Sequence, residues 1–328
     1  MVGVDELMAV AERYGRFARL EAPGRSALYA EWAVGVAADD AVQEVLARIP
    51  AARRQPPLVF ALTRLLGAPE GSFGEWRDWV LTHADALVSA AAVRALQTNE
   101  PLRCAALLPA LATVPGPIAL IELGASAGLC LLPDRYSYRY TRADASPLRL
   151  DPAAGVSAVV LESSVSGNPP VRMPEILFRA GIDLLPLDPA DVGDRAFLRA
   201  LVWPGERDRE RRVGAALDLA RAEGVRVEQA DAGDPAVIDR LIRAVPDGVT
   251  AVVSTLGLMP HLPRRSREGL IGSIASAGGT WISLDPAGAH ERWTREVDPG
   301  EGRFVLHRDG APLAYADPLG ASVEWLAG

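Results

Sequence analysis

A chain of 328 residues, 49% hydrophobic and 23% charged, is an ordinary globular composition, long enough for one large domain with a smaller companion. Its 34 basic and 42 acidic side chains leave a net charge of -8, which offers no field to draw in a phosphate backbone, so nucleic acid is not expected as a partner. Every basic side chain is arginine, and the absence of lysine excludes Schiff-base, pyridoxal-phosphate and P-loop mechanisms.

The opening MVGVDELMAVAERYGRF is acidic and amphipathic, without the cationic-then-apolar order of a signal peptide, and no apolar run reaches membrane-spanning length. A cytoplasmic protein without a membrane partner is expected. From Asp5 to about Val114 apolar residues recur at three and four, as in Leu58, Leu62 and Leu65, with breaks at Pro23-Gly24, Pro50 and Gly71. That spacing predicts helices throughout. Trp76 and Trp79 read as a core stripe. QTNEPLR then gathers Asn99, Glu100 and Arg103 before an apolar helix, with Asn99 a natural N-cap and Pro101 in the first turn.

After Pro115-Gly116-Pro117 the texture changes. IALIEL is a buried strand, followed by the glycine turn GASAG and helix-like AGLCLL. Leu132 to Arg179 holds YSYRY, LRL and VVL, a small β insertion. VRVEQAD, VTAVVSTLGL and GGTWISLDP follow as strands with helices among them, the helix before VRVEQAD stopping at Gly224. Alternation of this kind predicts a doubly wound, mostly parallel sheet. RFVLH, the Asp309-Gly310 turn, APLAYAD and SVEWL read as antiparallel strands closing one edge. The expected organisation is a helical lid or substrate domain over 1–114 and a sheet domain over 115–328, interrupted around 133–180.

The turn admits two chemistries. Gly124, Ser126 and Gly128 spell GxSxG, the nucleophile elbow, for which Asp285 and either His290 or His307 would complete a triad. Glu122 followed by the same glycines also spells a cofactor-binding turn after a first strand. The second reading is preferred, because an elbow follows several strands of its sheet whereas everything before IALIEL is helical. GASAG lacks the third glycine of GxGxxG, since Leu129 stands there, which turns the choice away from a dinucleotide. The four histidines are scattered with no zinc spacing, and Cys104 and Cys130 in apolar surroundings predict free thiols rather than a disulfide.

With IELGASAG, VRVEQADAGD, TAVVSTLGLMPHLP and SIASAGGTWISLDP in this order, residues 117–328 resemble a class I S-adenosylmethionine-dependent methyltransferase. The resemblance implies a Rossmann-like sheet, S-adenosylmethionine as cofactor and a small-molecule acceptor, with no metal. It implies that Glu122, Gly124, Ser126, Gly128 and Ser254 line the cofactor. Asp188, with Asp183 and Asp144 as alternatives, would meet the ribose, and Asp231 the adenine. His261 would serve as catalytic base, and Asn99, Glu100 and Arg103 would face the acceptor. QTNEPLRCAALLPAL, GASAGLCLLPDRYSYRY, GIDLLPLDPADVGDRAFLRALVWP and DGAPLAYADPLGASVEWL further resemble a bacterial family known as domain of unknown function 2332. Cys130 stands where that family tends to have Asn, and Val253-Ser254 where it tends to have His-Ser. A serine hydrolase, another reaction of the sulfonium, or a non-catalytic binding module are the competing readings.

Overall fold

Among the described residues seven α-helices precede the first strand, in the stretch where the periodicity predicts helix: α1 (Val4–Leu20), α2 (Ala27–Ala37), α3 (Asp40–Ala47), α4 (Pro56–Leu65), α5 (Phe73–Thr82), α6 (Ala84–Val93) and α7 (Arg103–Ala112). In the computed structural model, which describes residues 3–289 and 298–326, the chain divides into two compact units. The first comprises residues 1–98 and 190–214, the second 99–189 and 215–328. The helical unit therefore ends sixteen residues before the expected boundary at 114, and it takes up a segment from the middle of the chain.

Aromatic packing explains that division. Phe60 on α4 lies at the centre of the first unit, with the rings of Tyr14, Phe17, Tyr29, Trp32 and Trp76 all within 6.2 Å of it. Trp203, distant in sequence, joins the same cluster through Phe17 at 5.2 Å and Tyr29 at 5.8 Å, with the Arg25 guanidinium 3.6 Å above its ring. Rings of this size supply most of the apolar burial in a small helical core. Trp76 is fully buried as predicted, while Trp79 is only half-buried and stacks on His83.

The second unit is a mixed α/β structure around an eleven-stranded, mostly parallel sheet. In chain order its strands are β1 (Ile118–Leu123), β2 (Ser137–Arg142), β3 (Pro147–Leu150), β4 (Val160–Ser166), β5 (Ile176–Asp183), β6 (Val227–Gln229), β7 (Thr250–Leu256), β8 (Thr280–Pro286), β9 (Phe304–Arg308), β10 (Ala311–Ala316) and β11 (Ser322–Trp325). Across the sheet the order is β3-β2-β4-β11-β10-β9-β8-β7-β1-β5-β6. The five strands from β8 to β6 are all parallel. From β1 the chain adds β5 and β6 on one side, then crosses to β7 and β8 on the other.

Later helices are α8 (Val192–Ala200), α9 (Arg207–Ala222), α10 (Pro235–Arg243) and α11 (Arg264–Ser276). Ile121, Leu123 and Val253 face Ile238 and Leu241 of α10 and Leu270 and Ile274 of α11 in one buried cluster. α7 contacts β4, β8, β9 and β11, and every residue from Cys104 to Ala112 is buried. A helix that is apolar all round needs such a position. No helix among the described residues is long and apolar enough to cross a membrane.

Pro109 inside α7 cannot donate to Ala105, four residues back. The Tyr140 hydroxyl from β2 donates to that carbonyl at 2.8 Å instead. The two other tyrosines of YSYRY act alike, Tyr136 on the Leu129 carbonyl and Tyr138 on the Pro133 carbonyl, both at 2.5 Å. Alternation along β2 thus ties the insertion to the glycine turn and to α7. Tyr140→Phe is expected to leave the Ala105 carbonyl buried and unpaired, lowering stability in urea by about 1–3 kcal/mol; an unchanged midpoint would contradict this account.

Two expectations are corrected. β9, β10 and β11 do not close an edge, because β11 pairs in parallel with β4 of the insertion and the sheet runs on through β2 and β3. A strand with one free rim presents unpaired amides and carbonyls, and β4 covers them. No α-helix follows the glycine turn either: AGLCLL forms a 3-10 turn at Leu129–Leu131, and a second covers Pro133–Arg135.

Candidate functional site

The carboxyl ends of β5, β1, β7 and β8 lie side by side, with buried Glu122, Ser126, Ser254 and Asp285 on or just past these strands. At the end of β1, Gly124 and Gly128 both have positive φ, +73° and +71°, which glycine adopts without strain. A Cβ on Gly128 would stand 2.6 Å from Val225 Cγ1, and one on Gly124 would stand 3.1 Å from Leu258 Cδ1. Ser126 between them is also left-handed, at φ 56°, and its amide donates to Asp183 Oδ2 at 2.9 Å. Asp183 Oδ1 accepts from the Leu185 amide at 2.9 Å, so the last residue of β5 clamps the turn.

Glu122 on β1 is 5% exposed and Asp285 on β8 is 1% exposed. Asp285 Oδ1 accepts from the Met259 amide at 3.1 Å, whereas Asp285 Oδ2 and Glu122 Oε2 have no hydrogen-bond partner among the described residues. Burial pushes the Glu122 carboxyl well above the usual carboxylate range; nearby Cys130 and Asp183 add to the rise and Arg103 opposes it. Burial pushes Asp285 up likewise, against the Met259 amide, Arg103 and Arg267. Taking a carboxylate out of water penalises its charged form, and one shared guanidinium offsets only part of that.

That guanidinium lies over the end of β7, the strand between the two acids. Arg103 Nη1 donates to the Leu256 carbonyl at 2.8 Å and Nε to the Pro318 carbonyl at 3.0 Å. Gly257, at φ +80°, leaves room for it, since a Cβ there would meet Nη2 at 3.1 Å. Gly320 in the β10–β11 turn presses on the backbone of Leu102 and Arg103, so the turn and the start of α7 are locked together. Fully buried Glu100 accepts from the Leu102 amide at 2.9 Å, and its carbonyl accepts from Cys130 Sγ at 3.5 Å.

Residues 11–325 match the family model described as "Uncharacterized protein conserved in bacteria (DUF2332)". The chain belongs to this family. No curated protein matches it.

In this DUF2332 chain the residues expected at a site fall into two groups. Glu122, Glu100, Arg103 and the turn residues Gly124, Ser126 and Gly128 come together, with fully buried Ser254 in register beside Glu122. Asn99 is near them in sequence but is not the N-cap of α7; that position is Leu102, and Asn99 sits at φ 33° with its Nδ2 buried and unpartnered. Asp188 lies five residues past the end of β5, paired with Arg226 at 2.8 Å; the acid that ends the strand is Asp183. Asp231 is exposed and holds its own turn through the Gly233 amide, and Asp144 does the same with Ser146 at the far end of the sheet. His261 is exposed, in a 3-10 turn after β7.

The triad completed by His307 loses its geometry. His307 is on β9, with β7 and β8 between it and β1. Three strand spacings amount to about 14 Å, beyond any hydrogen bond from Ser126. His290, the alternative, lies outside the described residues. Cys104 and Cys130 are buried free thiols, as expected. Among the described residues, no group of three or more His, Cys, Asp or Glu is arranged to hold a metal ion.

Asp285 entered the sequence reading only as a triad member, and Gly257 and Gly320 not at all. LDP at the end of a buried strand was the available signal for Asp285. An acid there either turns into solvent or is folded under, and only the tertiary structure tells which.

Proposed function

We propose that this chain is an S-adenosylmethionine-dependent enzyme, most directly a methyltransferase acting on a small molecule, built on a Rossmann-like sheet of the class I methyltransferase type. The observation that carries the reading is the order β6-β5-β1-β7-β8, all parallel, with the reversal of direction between β1 and β7. In open parallel sheets a ligand binds outside the carboxyl ends at such a reversal. Glu122 Oε2, buried and without a hydrogen-bond partner among the described residues, lies at that place.

The donor set fits the cofactor. Glu122 is suited to its ammonium group. Asp183, whose two oxygens each accept one amide and retain further lone pairs, is suited to its ribose hydroxyls. Asp231, two residues past the end of β6, carries a carboxylate that could accept from the adenine amine. When bound, the cofactor supplies a methyl group on a sulfonium, and the residues around it have only to align an acceptor and exclude water. Two features depart from the usual arrangement. Val225 and Leu258 fill the space beside the glycines, and no helix N-terminus backs the turn. Side-chain acids rather than a helix dipole must therefore carry recognition.

Calorimetric titration with S-adenosylmethionine and S-adenosylhomocysteine tests this. Micromolar binding is expected, weakened at least about tenfold in Asp183→Ala, or about 1.4 kcal/mol, and little changed in Asp188→Ala or His261→Ala. Folded protein that gives no heat with either compound would remove the proposal.

A further inference from the structure

The Asp285 carboxyl uses one oxygen and leaves the other idle in a place that is 1% exposed. An unpaired acceptor so deeply buried is costly unless a ligand brings a donor. Among the described residues, the charged groups within electrostatic reach of it are Arg103 at the start of α7 and Arg267 on α11. Two guanidinium groups oppose an incoming ammonium and favour an oxygen that becomes negative. Arg103 has spent Nε and Nη1 on carbonyls, and its Nη2 makes no hydrogen bond among the described residues. An idle acceptor on β8 and an idle cationic donor over the end of β7 thus occupy neighbouring strand ends. The group complementary to both is a hydroxyl, which donates through hydrogen and accepts through oxygen.

We infer that the carboxyl ends of β7 and β8 form the acceptor subsite, that Asp285 is the proton-accepting residue there, and that the acceptor is a phenol or enol whose oxygen is received by Arg103. The inference rests on the S-adenosylmethionine reading for the transfer step, though not for binding of the hydroxyl compound. In the step, the O–H proton passes to Asp285 Oδ2. An oxygen lone pair forms the new bond to the methyl carbon, the carbon–sulfur bond breaks, and its electron pair stays on sulfur. Asp285 returns the proton to solvent after product leaves. Burial raises the proton affinity of this carboxyl, as a base acting near neutral pH requires.

The probe is 4-nitrophenol, whose phenolate absorbs in the visible, buffered below its own pKa so that the free compound is mostly neutral. Wild-type protein in excess is expected to raise the phenolate fraction at least about threefold, a downward shift of about half a pKa unit. Asp285→Asn and Arg103→Met should each abolish the rise. No rise with the wild type, or an undiminished rise in Asp285→Asn, overturns the inference; if that variant does not fold, Arg103→Met is decided by the same criterion. Titrations with and without S-adenosylhomocysteine separate the two readings. A phenolate rise without cofactor heat keeps the hydroxyl subsite and removes the cofactor, and cofactor heat without the rise does the reverse.

Discussion

Gly320→Ala is expected to destabilise the second unit by about 2–5 kcal/mol and to abolish ligand binding with it. Gly320 has φ +95°, where a side chain is strained by roughly 1–2 kcal/mol. Its added Cβ would also stand 2.2 Å from the Leu102 carbonyl oxygen and 3.0 Å from Arg103 Cα, and these are backbone atoms that cannot rotate away. Either the β10–β11 turn or the start of α7 must move, at an overpacking penalty of about 1–3 kcal/mol. Movement of either breaks the bond from Arg103 Nε to the Pro318 carbonyl. Gly116→Ala is the control, since its φ is +73° but nothing lies within 4 Å of its Cβ. Only the strain should appear there. Urea unfolding of both variants measures the difference, and equal losses would mean that the contact at Gly320 is slack.

The second large effect is an inverted dependence of stability on pH. Glu122 and Asp285 both hold their protons more tightly folded than unfolded, so folded protein binds more protons above the ordinary values of 4.5 and 3.8. Unfolding free energy then falls as pH rises through that range towards the folded pKa values, by up to about 1.4 kcal/mol per pH unit for each group. Their contribution is fully present below the unfolded values and is lost on the alkaline side. Surface carboxylates paired with arginine act in the opposite sense, which is why the comparison must be made against variants. Glu122→Gln and Asp285→Asn, neutral at every pH, should each flatten the slope on the alkaline side of 4.5 and 3.8 respectively, gaining at least about 1 kcal/mol relative to wild type there. Urea midpoints at several pH values decide the matter. Variants that keep the wild-type slope would show that these carboxyls ionise freely in the folded chain.

Local signals carried much of the architecture. Three-and-four spacing located the N-terminal helices, and continuous apolar runs such as IALIEL and TAVVSTL located the central strands, because each pattern is set by which faces are covered. What remained hidden depended on distant partners. AGLCLL has helical composition, yet Tyr136 takes the Leu129 carbonyl and holds a 3-10 turn in its place. SVEWL looks like an edge strand until β4 is set beside it. At the site, Glu122, Glu100 and Arg103 were legible because charged residues in apolar context are uncommon. Asp188 was preferred over Asp183 because it precedes a helix-like run, whereas the strand ends five residues earlier. Asp285 carries the same residue type as many exposed acids, and its burial is a property of Met259 and α11 rather than of its own neighbours.

The pairing of β4 with β11 also sets a timetable. Ser164 lies beside Ala321, 157 residues further along the chain, and the parallel ladder between the strands has no local turn to nucleate it. During synthesis the tyrosines of β2 can find the glycine turn early, but β4 waits with an open rim until the last strands have emerged. The β4–β11 junction, three strands in from the β3 edge, is therefore expected to close late. Such long-range closure is slow, and an open strand in the interval is a template for another copy of the chain. Yield of this protein should accordingly be limited by association during folding, and should improve on cooling or dilution of the refolding chain.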